Sequence, residues 1–475
     1  MNPIPLNPIP LNDPLAAAAR AVPNNLALLT GEQRITYAEL HHQTETLAAR
    51  LSAEGVRPGQ QVAVHLRRDA DSVRMFHALA RLRAILVPLN SPLPLGAPYG
   101  DDKGQGVRVS PRPLGAPYGD DECGAGLMGL LYTSGTTGTS KAAALTWSNL
   151  FHSAIASAFR LGTLPNDRWL LTLPLHHIGG LSILYRSALY GSAVILPDFP
   201  NDDFDLSILM TRLKETQPTL ISLVPTMLHR LLENAGADGF PASLRVILLG
   251  GSGAPPALLR RALDVGLPIA ATYGLTEAAS QVATAPPDLT RRKPGTAGKP
   301  LLWVELEIRT EDGCLLPPNE IGEIWTRSPM VMPGYLGQPP LPDGWLRTGD
   351  YGYLDTDGDL WVVQRRTDLI ITGGENVYPA QVEAALAEHP AIAEVCVVGI
   401  PDAEWGQRVA AAVVLHPGAA ATPNQLTAFA RQTLAGYQTP RLWHFVNELP
   451  RTASGKIQRN EIAKILLDAV TNLQD

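Results

Sequence analysis

Cysteine is scarce in this chain: 475 residues carry three, Cys123, Cys314 and Cys396. They are far apart, odd in number and without metal-ligand spacing. That excludes a disulfide framework and a cysteine zinc site, and it points to a reducing compartment. Long apolar runs are missing too. None approaches the roughly 18 residues that a membrane-spanning helix needs, so no span is expected. The N-terminus is rich in proline and lacks the basic region that opens a signal peptide, so a cytoplasmic protein is expected. Lysine and arginine total 38 against 45 acidic residues, a net charge of −7, and nowhere form a block. Nucleic-acid binding needs clustered positive charge and is not expected. Charged residues make up only 17% of the chain and apolar residues 45%. This balance excludes a disordered chain, and the length leaves room for about two or three domains with substantial cores.

The opening repeats a pentapeptide, Asn2-Pro-Ile-Pro-Leu6 and Asn7-Pro-Ile-Pro-Leu11. So much proline forbids helix, and residues 1–12 are expected to form a flexible tail. Thr36-Tyr-Ala-Glu39 reads as a capping box opening a helix whose buried stripe is Leu40, Leu47 and Leu51. Val62, Val64 and Leu66 alternate like a strand, a helix over 72–82 follows, and Ile85-Leu-Val87 is a second strand. That is a βαβ rhythm. Pro94-Leu-Gly-Ala-Pro-Tyr-Gly-Asp-Asp102 then recurs letter for letter as Pro113-Leu-Gly-Ala-Pro-Tyr-Gly-Asp-Asp121. The nonamer has no helical or strand period, so residues 91–124 are expected to be irregular loop and their paired aspartates simply solvated.

Further along, Leu220-Ile-Ser-Leu-Val224, Val246-Ile-Leu-Leu249 and Ile269-Ala-Ala-Thr-Tyr273 are nearly continuous apolar strands separated by helices. They suit a sheet covered on both faces. Short β segments follow at 304–308, 322–326 and 360–363. Beyond Arg366 the rhythm changes: a helix at 380–387, a strand at 394–398 with Cys396 buried in it, a strand at 409–415, and a helix at 423–434. The expected fold class is α/β. A large N-terminal domain with several subdomains and doubly covered sheets spans 13–367, and a small α+β C-terminal domain spans 368–475.

Thr133-Ser-Gly-Thr-Thr-Gly-Thr-Ser-Lys141 has the chemistry of a polyphosphate cradle. Leu127, Leu130, Leu131 and Tyr132 lead in as a buried strand does. Gly135 and Gly138 let backbone N–H groups approach a phosphate, the hydroxyls of Thr133, Ser134, Thr136 and Thr137 donate further hydrogen bonds, and Lys141 adds a mobile positive charge. It is not a Walker A loop, because Thr139 and Ser140 separate Gly138 from Lys141. Alone, the stretch also fits a polar surface turn. Thr272-Tyr-Gly-Leu-Thr-Glu277 and Gly250-Gly-Ser-Gly253 each follow a strand, where α/β sheets bind ligands.

Together with Arg347-Thr-Gly-Asp350, Arg365-Arg-Thr-Asp368 and Arg451-Thr-Ala-Ser-Gly-Lys456, these stretches resemble the adenylate-forming superfamily of acyl-CoA synthetases, standalone adenylation domains and luciferases. The resemblance covers nearly the whole chain apart from the tail and the duplicated segment. It implies that a small-molecule carboxylic acid and ATP form an acyl-AMP, from which CoA displaces AMP, with Mg²⁺ as cofactor. It also implies that Thr133, Ser134, Gly135, Thr136, Thr137, Gly138 and Lys141 hold the phosphates. Gly251, Thr272, Tyr273 and Gly274 line the nucleotide, with Tyr273 along the adenine. By the same resemblance, Thr276 bonds a phosphate and Glu277 takes the Mg²⁺. Asp350 accepts from both ribose hydroxyls and Arg366 touches the ribose. Asp368 is the hinge of a mobile C-terminal lid, and Gly373 and Gly374 line the CoA channel. Arg365 stands where many relatives carry glycine. Lys456 bridges the substrate carboxylate and the α-phosphate, an electrostatic and positioning role.

His177, in Leu173-Pro-Leu-His-His-Ile-Gly-Gly-Leu181, corresponds to a histidine at the mouth of the acyl pocket. Gly250, Gly251, Ser280 and Gln281 are further acyl-binding candidates, the last two as partners for a keto or distal carboxylate group. Four stretches resemble the o-succinylbenzoate–CoA ligases, the branch serving menaquinone or phylloquinone synthesis. They are His177-Ile-Gly-Gly-Leu-Ser182, Ile221-Ser-Leu-Val-Pro225, Glu277-Ala-Ala-Ser-Gln281 and Asp368-Leu-Ile-Ile-Thr-Gly-Gly-Glu-Asn-Val-Tyr-Pro379. Two alternatives stay open. One is another aryl- or aliphatic-acid ligase. The other is a catalytically weak nucleotide-binding relative, because the stretch between Pro88-Leu-Asn90 and Thr133 is short for the family. The oligomeric state is left open, a homodimer included.

Overall fold

The computed structural model describes residues 11–31, 33–89, 107–113, 126–133, 141–235, 240–365, 370–372, 375–402, 405–451 and 457–471, with the backbone alone over 107–113. The fold is α/β. It falls into two compact units: Met1–Gly251 with Arg260–Leu306 and Thr326–Leu346, and Ser252–Leu259 with Glu307–Trp325 and Arg347–Asp475. Among the described residues no helix is long and apolar enough to cross a membrane.

The first unit holds two sheets. The larger runs in the order Ser280–Ala285, Ile269–Leu275, Val246–Leu249, Leu220–Leu223, Arg168–Leu170, Ala193–Ile195, Leu26–Leu29 and Arg34–Thr36. From Ile269–Leu275 to Leu26–Leu29 neighbouring strands are parallel, and the two outer pairs are antiparallel. Every residue of Leu220–Leu223 and Val246–Leu249 is buried. That follows from their nearly continuous apolar sequence, Ser222 being the one polar residue, since a strand without regular polar alternation is covered on both faces.

The second sheet runs Gly334–Tyr335, Lys141–Thr146, Leu127–Thr133, Ile85–Leu89, Gln60–His65 and Val107–Pro113. Its last strand corrects the sequence reading. Val107–Pro113 lies inside the segment expected to be irregular, yet it pairs antiparallel with Gln60–His65. Val107, Val109 and the intervening polar residues do alternate, a signal the flanking Pro/Gly repeats obscured. The copies of the acid pair, Asp101-Asp102 and Asp120-Asp121, lie outside the described residues.

Helix Tyr37–Ala53 begins at the anticipated capping box. Thr36 accepts from the Glu39 N–H, and Glu39 Oε2 accepts from the Thr36 N–H at 2.8 Å. Its buried stripe differs slightly from expectation. Tyr37, Leu40, Thr44, Ala48 and Leu51 face inwards, whereas Leu47 is half-buried. A period of 3.6 residues carries the stripe through 44 and 48 and leaves 47 at its margin.

The strands Glu305–Arg309, Gly322–Arg327, Leu346–Leu354 and Leu360–Arg365, most of whose residues fall in the second unit, form one sheet. A smaller one orders Glu375–Val377, Ile370–Thr372, Gly406–Leu415 and Ile392–Asp402, with Leu442–Phe445 also paired to Gly406–Leu415. Alternate residues of Ile392–Asp402 serve opposite faces. Val397 packs with Val382 and Leu386 of helix Pro379–Leu386 and with Leu426. Cys396, Val398 and Ile400 pack with Ile462 and Leu466 of helix Arg459–Thr471. Arg459 clamps that helix in place, donating to both carboxylate oxygens of Glu383 and to the Val397 carbonyl oxygen at 2.7 Å.

Candidate active site

The strands Leu127–Thr133 and Lys141–Thr146 are an antiparallel hairpin in which Thr133 faces Lys141. The Thr133 hydroxyl donates to the Lys141 carbonyl oxygen at 3.4 Å. The connecting loop, with Ser134, Gly135, Thr136, Thr137 and Gly138, lies outside the described residues, but both of its anchors are fixed by the sheet.

At the far end of Ile269–Leu275 the chain makes a single turn of 3₁₀ helix over Thr276–Ala278 and then reverses into Ser280–Ala285. The reversal is tight. Ala279 and Ser280 have φ of 50° and 111°, and a Cβ on Gly274 would sit 1.8 Å from the Ser280 carbonyl oxygen. Only glycine fits at 274, because any side chain there would overlap the returning backbone. The turn thereby aims the Glu277 side chain at the edge of the hairpin. Glu277 Oε1 accepts a 2.7 Å hydrogen bond from the Tyr335 hydroxyl, and the Lys141 Nζ lies 5.3 Å from the centre of the Tyr335 ring. Burial, reinforced by the Glu277 charge, holds the Tyr335 phenol above the ordinary tyrosine range, so it keeps its proton and donates. One carboxylate, one ammonium and a phenol between them therefore stand where the hairpin anchor meets the strand end.

Beneath them lies a hydroxyl network. Gln281 Nε2 donates to Thr284 Oγ1 at 2.8 Å, Thr284 Oγ1 meets Thr272 Oγ1 at 2.9 Å, and Thr272 donates to the Ala283 carbonyl oxygen at 3.0 Å. Thr272 and Gln281, both expected to meet ligand, thus commit these groups inside the strand pair. Gln281 is 1% exposed, and among the described residues its Oε1 has no hydrogen-bond partner. Tyr273 is also buried, whereas Ser280 is half-buried. Gly250 follows Val246–Leu249, and a Cβ there would lie 2.7 Å from Thr272 Cγ2. Its bareness is accordingly needed for strand packing, whatever else it accommodates. Gly251 comes next, with φ of 82°.

His177 is the exposed N-cap of helix Ile178–Tyr190, its ring 4.2 Å from that of His176. Burial holds His176 below the ordinary histidine range. The same helix carries a residue that the sequence reading missed. Arg186 is 1% exposed, and among the described residues its Nε has no hydrogen-bond partner. Nη2 donates to Ser153 Oγ at 3.3 Å, and Ser153 donates in turn to the Ala279 carbonyl oxygen at 2.7 Å. The guanidinium carbon is 5.9 Å from the Trp169 ring centre, and among the described residues no carboxylate pairs with it. Arg186 is the sole charged residue in Ile-Gly-Gly-Leu-Ser-Ile-Leu-Tyr-Arg-Ser-Ala-Leu-Tyr, and that isolation was the available signal. Tyr335 gave none, being a lone aromatic in a two-residue strand.

Asp350 belongs to the other unit. It is buried, lies opposite Arg365 in the pair Leu346–Leu354 and Leu360–Arg365, and its N–H donates to Thr348 Oγ1 at 3.1 Å. Arg366, Asp368, Gly373, Gly374 and Lys456 lie outside the described residues. The bridge between Arg451 and Ile457 closes the stretch that holds Lys456.

The hairpin anchor that bears Lys141 and the strand end that bears Glu277 are thus joined through one tyrosine. The family model for AMP-binding enzymes matches residues 15–97 and 115–336, and the model for their C-terminal domain matches 381–456. The chain belongs to the AMP-binding enzyme family. Among members of this family, it is 38% identical to a 2-succinylbenzoate–CoA ligase of Bacillus cereus, over 95% of this chain and 98% of that one. Among solved members, it resembles the o-succinylbenzoate CoA synthetase of Bacillus subtilis in complex with the acyl-adenylate intermediate OSB-AMP. The TM-score is 0.82 at 36% identity, covering 95% of this chain and 97% of that one. The same synthetase in complex with ATP and magnesium ion gives a TM-score of 0.81 at 36% identity, over 94% and 98% of the two chains.

Proposed function

We propose that the protein is an AMP-forming acid–CoA ligase that converts o-succinylbenzoate to its CoA thioester for menaquinone synthesis, acting in the cytoplasm. The observation that carries this reading is the end-to-end likeness to 2-succinylbenzoate–CoA ligases, over 95% of this chain. A carboxylate is a poor acyl donor because its leaving group is oxide. Attack of a carboxylate oxygen on the α-phosphorus of ATP expels pyrophosphate and leaves an acyl-AMP. The CoA thiolate then attacks the acyl carbon, and AMP departs.

Each residue has a part in this scheme. Lys141 and the loop from Thr133 to Gly138 hold the β- and γ-phosphates, and Thr276 donates to phosphate. Gly251, Thr272, Tyr273 and Gly274 form the wall behind the nucleotide, while Asp350 and Arg366 hold the ribose. The Glu277 carboxylate, a hard oxygen ligand, would hold a magnesium ion and the Lys141 ammonium would meet the phosphates; the ion would supply positive charge to the departing pyrophosphate. Lys456 offsets charge on the reacting oxygens. Asp368 is the hinge for the C-terminal segment, and Gly373 and Gly374 leave room for the pantetheine arm.

His177, Gly250, Gly251, Ser280 and Gln281 take the acyl group. Arg186 adds a reason for a substrate with two carboxylates. A fully buried guanidinium with no carboxylate partner among the described residues is costly, and a second substrate carboxylate would supply the missing charge.

Supplied with ATP, Mg²⁺ and CoA, the purified protein is expected to release AMP and form the o-succinylbenzoyl thioester in preference to the thioesters of benzoate, coumarate and octanoate. Equal or faster turnover of any of those three overturns the choice of acid and leaves the ligase class standing.

A further inference from the structure

We propose that Tyr335 is a positioning residue of the adenylation site, whose hydroxyl fixes the Glu277 carboxylate for magnesium–ATP while its ring carries the Lys141 ammonium. The proposal rests on the ligase reading and on Glu277 as the magnesium ligand. Three backbone attachments place the tyrosine. Gly334–Tyr335 pairs with the edge of Lys141–Thr146, Tyr335 opposite Ala143. The Leu336 N–H donates to the Ala142 carbonyl oxygen at 2.9 Å. The Met332 N–H donates to the carbonyl oxygen of Glu277 itself at 2.8 Å. The segment from 332 to 336 is thus fastened to the hairpin on one side and to the acid-bearing turn on the other.

The side chain repeats that bridge. Its hydroxyl holds Oε1 of Glu277 at 2.7 Å and leaves Oε2 as the oxygen for a cation. Its ring lies within cation–π distance of Lys141 Nζ, at 5.3 Å. A flexible glutamate from the 3₁₀ turn and a flexible lysine from the hairpin strand are held in register by one rigid group. Without it both side chains must be ordered when the nucleotide binds, and that ordering entropy opposes binding.

The test is calorimetric titration of ATP into the full-length protein across a magnesium series, with no acid or CoA present. In the wild type, magnesium is expected to tighten ATP binding. Tyr335→Phe keeps the ring and is expected to bind metal-free ATP as the wild type does, yet to lose about tenfold of the magnesium-dependent gain, the scale of a hydrogen bond to a charged group. Tyr335→Leu is expected to show the same loss and to bind metal-free ATP about threefold more weakly, because the contact to Lys141 has gone as well. Glu277→Gln sets the full loss of the gain. Melting temperatures measured alongside separate these effects from general destabilisation, which weakens ATP binding with and without metal alike.

If Tyr335→Phe keeps the whole magnesium gain while Glu277→Gln loses it, the proposal fails and the role of Glu277 stands. If Glu277→Gln also keeps the gain, the proposal and the magnesium assignment fail together, and the thioester assay still judges the ligase reading on its own.

Discussion

Lys456→Ala is expected to reduce acyl-AMP formation about a hundred- to a thousandfold, the scale of losing one preorganised charge at a reacting oxygen. Thioester formation from supplied acyl-AMP and CoA is expected to stay near the wild-type rate. The asymmetry follows from where charge develops. In the first half-reaction a carboxylate approaches an already anionic phosphate, and a cation between them offsets the repulsion. In the second, a thiolate attacks a neutral acyl carbon and the leaving group is already formed. Separate assays of the two half-reactions check this. Loss of both would make Lys456 a structural residue and remove it from the chemistry.

Arg186→Met is expected to move stability and activity in opposite directions. Among the described residues the buried guanidinium has an unpartnered Nε and one side-chain hydrogen bond, to Ser153. Replacing a buried ion by an apolar side chain of similar length is therefore expected to raise stability by about 1 kcal/mol or more. The same change removes the counter-charge proposed for the second carboxylate. The KM for o-succinylbenzoate is expected to rise about a hundredfold, within the range for breaking a buried charge pair, with ATP binding unaltered. Thermal melting and steady-state kinetics on one preparation decide the matter. A less stable variant with an unchanged KM would make Arg186 part of the packing alone.

The strands and helices with strong internal periodicity were legible in the sequence. The strands read at 220–224, 246–249 and 269–273 formed as Leu220–Leu223, Val246–Leu249 and Ile269–Leu275, because a nearly continuous apolar run of that length has few other uses. The capping box at Thr36 marked the start of its helix because the box is a local pairing of Thr36 with Glu39. Val107–Pro113 was missed because its partner, Gln60–His65, is distant in sequence while the Pro/Gly repeats are adjacent.

The candidate site divides in the same way. Lys141, Thr276 and Glu277 could be named because they sit inside recognisable contiguous motifs. Tyr335 could not, since its meaning comes from a pairing with Ala143 that no local pattern announces. Thr272 and Gln281 show the converse. Their motif suggested ligand contact, and the paired strands Ile269–Leu275 and Ser280–Ala285 also draw the Thr272 hydroxyl and the Gln281 amide nitrogen into a shared network.

The most direct measurement is ATP–pyrophosphate exchange with magnesium and without CoA, in the presence and absence of o-succinylbenzoate. The account predicts exchange that appears only when the acid is added, because reversing pyrophosphate release requires an acyl-AMP on the protein. Binding of ATP with no acid-dependent exchange, for o-succinylbenzoate or for any acid of the panel, would contradict it and leave a protein that holds the nucleotide without activating a carboxylate.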